Sequence, residues 1–132
     1  NMITPILPLS DKALEALSYV IVTATEGGHY TREDYAEWTT YVHKDTPKGF
    51  YAEVTLHPND DVEGISLEPI RMTPQELGKR LAERFNLDKM PAHHALMILR
   101  LLKGDEDIAG DMDVIDAGAI LQVAVYGETI YG

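Results

Sequence analysis

The chain has 132 residues, of which 45% are hydrophobic, 25% charged and 8% aromatic, and it has no cysteine. That composition fits a single folded domain over 1–132 and excludes a fibrous or low-complexity chain, a disulfide framework, a thiolate metal site and a cysteine nucleophile. Eleven Lys and Arg against 22 Asp and Glu leave a net charge of −11, a field that repels nucleic-acid backbones and anionic lipid and attracts basic partners.

The charge is unevenly distributed: residues 1–70 sum to −8, 71–103 to +4 and 104–132 to −7. No stretch reaches the ~18 apolar residues of a membrane-spanning helix. Asn1 ahead of Met2 reads as a residue left by an expression tag. The start lacks the basic and apolar regions of a signal peptide, so the expected setting is the cytoplasm, with no membrane partner.

Ser10 is an N-cap for a helix over Asp11 to Glu26, which Gly27-Gly28 stops. The β-branched run Tyr19 to Thr23 leaves a strand there as an alternative. Thr31 with Asp34 predicts a second helix over Arg32 to His43, with Tyr35, Trp38 and Val42 on one side. Asp45 to Gly49 is a turn. Phe50 to His57 alternates as a half-buried strand, with Ala52, Val54 and Leu56 facing inward. Residues 65–72 form a second strand that Pro69 confines to an edge or shortens. The two strands make a hairpin with a long acidic connection.

Thr73-Pro74-Gln75-Glu76 is the clearest boundary, opening a helix to Phe85 that Asn86 closes in the left-handed conformation. Another helix runs from Pro91 to Lys103 and ends at Gly104. Its apolar residues Leu96 to Leu99, Leu101 and Leu102 mark it as central to the core. Residues 105–116 read as an irregular acidic segment. Gly118 to Tyr126 reads as a buried strand, with a short return strand at Thr129 to Tyr131 that could pair with a second copy as a homodimer. The expected fold class is α+β: a single domain, its small, mostly antiparallel sheet packed against about four helices in the order α-α-β-β-α-α-β.

Three constellations could carry function. The first is the acidic surface. Segments 26–37, 60–68 and 105–116 hold four, four and six of the 22 acids. Glu33, Asp34, Glu37, Asp60, Asp61, Asp105, Glu106, Asp107, Asp111 and Asp113 are its candidate contacts with a basic protein partner. A compact acidic chain with no catalytic motif is the kind of product seen among accessory or inhibitor proteins of phages and mobile elements. The expected function is therefore non-enzymatic protein binding, without a cofactor.

The second constellation is residues 74–103, which resemble a helix-turn-helix DNA-binding unit through Gln75-Glu76-Leu77-Gly78-Lys79-Arg80-Leu81-Ala82-Glu83-Arg84-Phe85-Asn86. That resemblance implies DNA contacts from Lys79, Arg80, Arg84, His93 and His94. The apolar second helix speaks against it, because a reading helix exposes polar side chains to base edges. A helical hairpin packed on a sheet is the competing reading, and nucleic acid is the less favoured partner. The third is a cation site at Asp111, Asp113 and Asp116, which departs from the calcium-loop pattern because Gln122 stands where that pattern has glutamate. His93 and His94 are adjacent and would diverge by about 100° on a helix, which argues against a shared metal.

Overall fold

The structure is a computed structural model that describes residues 8–27 and 36–131. Its fold is α+β: a three-stranded antiparallel sheet packed against five helices. The elements are α1 (Asp11–Glu26), β1 (Ala36–Thr46), β2 (Gly49–Pro58), β3 (Ile70–Met72), α2 (Pro74–Arg84), α3 (Ala92–Lys103), α4 (Ile108–Asp111) and α5 (Val114–Tyr126). No helix among the described residues is long and apolar enough to cross a membrane.

Helix α1 starts where the cap places it. The Ser10 hydroxyl accepts the Ala13 backbone N–H at 3.1 Å, and Ala13, Leu17, Val20, Ile21 and Ala24 are buried. The β-branched run therefore stays helical, because its spacing fills the core. Helix α2 begins as expected, with the Thr73 hydroxyl accepting from Glu76 N at 3.1 Å and Pro74 in the first turn. Gly78 lets α2 approach α1 closely: a Cβ there would stand 2.5 Å from Leu9 Cδ1 and 3.1 Å from Leu17 Cδ1.

The predicted helix over 32–43 is replaced by strand in its described part, 36–43. Residues 28–35 lie outside the described residues, and 36–46 are strand β1, paired antiparallel with β2. The run Trp38-Thr39-Thr40-Tyr41-Val42 favours a pleated surface, and Thr46 to Gly49 closes a hairpin. Gly49 sits at φ +124° beneath the Glu15 carboxylate, which accepts the Phe50 N–H at 2.7 Å. Register shifts between Thr39 and Val42, where Thr40 takes φ 51°, a bulge that bends this edge strand.

Strand β2 alternates as expected, burying Ala52, Val54 and Leu56 against the helices. The predicted partner strand contracts to Ile70–Met72, beginning just after Pro69. On the open face of the sheet, Arg71 Nε and Nη2 donate to the Glu53 carboxylate at 2.7 and 2.9 Å, and Tyr51 Oη donates to it at 2.5 Å. These partners hold the Glu53 carboxyl down at about 2, the Arg71 hydrogen bonds contributing most.

The largest correction concerns the last third. Residues 114–126 are helix α5, with every residue from Ala117 to Tyr126 buried. A reciprocal capping box starts it: Asp113 Oδ1 accepts from Asp116 N at 2.8 Å and Asp116 Oδ2 accepts from Asp113 N at 3.2 Å. Gly127 at φ +84° ends it. A run of apolar residues does not by itself distinguish a buried helix from a buried strand, and here the caps at both ends decide.

Helix α5, rather than α3, is the central element. Helix α3 buries His94, Ala95, Ile98 and Leu101, but leaves Leu96 59% and Leu99 37% exposed. The predicted return strand is replaced by a side-chain clamp. Buried Gln122 accepts the Ile130 and Tyr131 N–H groups at 2.9 and 2.8 Å and donates to Tyr131 O at 3.1 Å. The two strands expected to pair with a second copy are thus a core helix and a clamped segment, and the homodimer expectation loses its basis.

Candidate functional site

The acids of 105–116 are largely engaged by the protein itself. Arg100 bridges Asp105 at 2.7 Å and Asp111 at 2.9 Å, and Lys12 pairs with Glu106. The Arg100 hydrogen bond, helped by the Asp107 backbone N–H, holds the Asp105 carboxyl below its ordinary value. Asp113 is spent on the α5 cap. Asp107 is exposed and ion-paired with no described residue. The segment is also less irregular than its composition suggests, since α4 occupies 108–111.

The β2–β3 connection contrasts with this. Asp60, Asp61, Glu63 and Glu68 are exposed. Among the described residues none of them is ion-paired, and Asp61 accepts the Tyr131 hydroxyl at 2.6 Å. The connection is nonetheless built: Asn59 N donates to Tyr126 Oη at 3.0 Å, tying its first residue to the end of α5. Leu67 is 55% exposed between Glu63 and Glu68. Glu37, on β1, is exposed beside His57 in the ladder. Glu33 and Asp34 lie outside the described residues.

This connection forms one lip of a groove of about 570 Å³ whose other wall includes Glu76, Arg80, Arg84 and Val125. Arg80 donates to Glu76 at 2.6 Å and to Ala124 O at 3.3 Å. Arg84 is ion-paired with no described residue; burial and the nearby Arg80 guanidinium push it below its ordinary value. Of the expected DNA contacts, Lys79 and His93 are exposed, Arg80 and Arg84 are half-buried and His94 is buried.

The connection between α2 and α3 also differs from the helix-turn-helix expectation. Asn86 is extended, at φ −150°, and its side chain accepts from Asp88 N at 2.9 Å to cap a 3₁₀ turn over Leu87–Lys89. The link is longer than the roughly three or four residues of a helix-turn-helix. Helix α3 shows Leu96 and Leu99 to solvent where base-reading side chains would stand. Of the hairpin expected to pack on the sheet, α2 reaches β2 and β3, whereas α3 packs mainly against the other helices.

The expected aspartate cluster does not assemble, because Asp111 belongs to Arg100. Among the described residues, one group of three His, Asp or Glu has donor atoms close enough to share an ion: His93, His94 and Asp116, all within 4.8 Å. The two imidazoles do not diverge as helical geometry suggests; their ring centroids are 4.1 Å apart. His94 Nε2 lies 3.1 Å from Asp116 Oδ1, and His93 Nε2 lies 4.0 Å from the same oxygen. Burial alone would raise the Asp116 carboxyl, but the Asp113 N–H and His94 outweigh it and hold it below the ordinary range. This grouping draws on two separate sequence candidates. It could have been found only by recognising Asp113-x-x-Asp116 as a helix start that faces the first turn of α3.

Searches against models of known families, curated proteins and solved structures found no match.

Proposed function

We propose that the protein is a small, cytoplasmic, non-enzymatic binding protein that docks on a partner through the β2–β3 connection. The partner presents a basic surface with an apolar recess. One contrast supports this reading: Asp60, Glu63 and Glu68 are exposed and form no ion pair among the described residues, whereas Asp105, Glu106 and Asp111 are already paired. Exposed Leu67 supplies an apolar anchor within a polar rim, the usual anatomy of a protein interface. An accessory or inhibitor role toward a nucleic-acid-binding protein follows from the same charge.

The test is capture of a partner by the full chain at low and high salt, with binding then measured on the purified pair. The variant Asp60→Asn/Glu63→Gln/Glu68→Gln and the variant Leu67→Ala weaken binding at least tenfold, and Asp107→Asn leaves it unchanged. Rim charges act mainly on the association rate, so the wild-type rate falls with salt. Binding that ignores both salt and the triple variant overturns the reading.

A further inference from the structure

We infer that His93, His94 and Asp116 form a binding site for a borderline divalent transition-metal cation of the zinc class, bridging the N-terminal turns of α3 and α5. The donor set points to this class. Two imidazoles and a carboxylate suit zinc, cobalt or nickel, whereas calcium and magnesium need more oxygens than the site offers. Three protein ligands leave the remaining positions to water, as in open zinc sites.

The geometry is close to what coordination requires. Ligand atoms about 2.0–2.1 Å from a tetrahedral ion lie about 3.3 Å from one another. Here His94 Nε2 and Asp116 Oδ1 are already 3.1 Å apart, and His93 Nε2 is 4.0 Å from that oxygen. The mobile partner is the exposed one: the His93 side chain is 64% accessible, against 9% for His94 and 15% for Asp116. The approach needed to complete the set therefore falls mainly to the surface imidazole.

The surrounding structure orients the two less exposed ligands. Asp116 Oδ2 accepts the Asp113 N–H at 3.2 Å, which leaves Oδ1 aimed at the imidazoles. Outer hydrogen bonds of this kind orient ligands in metal sites. No Lys or Arg among the described residues pairs with Asp116, so no cation of the chain competes for it. Asp113 adds a second carboxylate at the positive end of α5.

His94 faces the carboxylate through Nε2, while its Nδ1 is buried with no hydrogen-bond partner among the described residues, and coordination through Nε2 supplies none.

The experiment uses the full chain without a histidine tag, titrated with zinc chloride and, separately, cobalt chloride. The expected results are one zinc bound per chain, a melting temperature raised roughly 5–10 °C at a hundredfold excess over Kd and restored by chelator, and visible cobalt bands of a low-coordinate nitrogen–oxygen site. His93→Ala, at an exposed position, folds normally without metal, weakens zinc binding at least tenfold and abolishes the cobalt bands. Asp116→Asn does the same in the cobalt spectrum. His43→Gln and His57→Gln bind as wild type. The inference is overturned if zinc fails to bind at micromolar concentration, if His93→Ala binds as tightly as wild type, or if the His43 or His57 variant loses the site.

Discussion

Two acid-rich connections in this chain have similar compositions and opposite fates. The one between α3 and α5 is consumed by the fold: Arg100 holds Asp105 and Asp111, Lys12 holds Glu106, and Asp113 caps a helix. The one between β2 and β3 keeps its carboxylates in water, although Tyr126 and Tyr131 anchor its first residues. Net charge alone does not separate structural from available acids; the positions of Arg100 and Lys12 do.

The comparison can be tested by removing what holds each connection. The largest expected effect is at Gln122, whose buried amide makes three hydrogen bonds to residues 130–131. Gln122→Ala leaves these groups without their partner and costs about 2–3 kcal/mol. Denaturant melts measure it, and faster amide exchange around Asn59 would show that the free connection depends on the clamp.

Next comes acid, which acts on the sheet rather than on either connection. Glu53 titrates at about 2 against an ordinary 4.5. A depressed carboxyl stabilises the fold fully above the ordinary value and loses that contribution as pH falls from 4.5 toward 2. Arg71 is mostly exposed, so screening trims the contribution to about 2 kcal/mol. Melting as a function of pH measures it, and Glu53→Gln should flatten the profile in this window.

Arg100→Gln removes the bridge between Asp105 and Asp111 and lowers stability by less than either change above, as expected for partly exposed ion pairs. Added salt should shrink the difference from wild type. The smallest expected effect is for Asp60→Asn/Glu63→Gln/Glu68→Gln, within about 0.5 kcal/mol of wild type. A loss as large as that for Arg100→Gln would mean that these carboxylates are structural after all.

The sequence reveals the elements whose ends carry their own chemistry. Ser10, Thr73-Pro74 and Gly104 mark helix boundaries through hydrogen bonds they make locally, and the alternation in β2 follows from one buried face. Two segments were misassigned for a common reason. The aromatic spacing in 35–42 suits a helix as well as a strand, and 118–126 is apolar at every phase, so periodicity has nothing to discriminate. Better local signals were present: the β-favouring Trp38 to Val42 run before the Pro47-Lys48-Gly49 turn, and the Asp113–Asp116 box paired with Gly127. The site was less legible. That Arg100 neutralises Asp111, and that His93 and His94 meet Asp116, depends on how α3 lies against α5, which no local pattern encodes.

Helix α5 has different tasks at its two ends. Asp116 stands in its first turn and Tyr126 at its last residue, a span of about 15 Å at 1.5 Å per residue. Because every position between them is packed, the rod cannot slide along its axis without opening holes in the core. It therefore works as a rigid spacer that keeps the histidine–aspartate cluster and the acidic β2–β3 lip at a constant separation, whatever occupies either end.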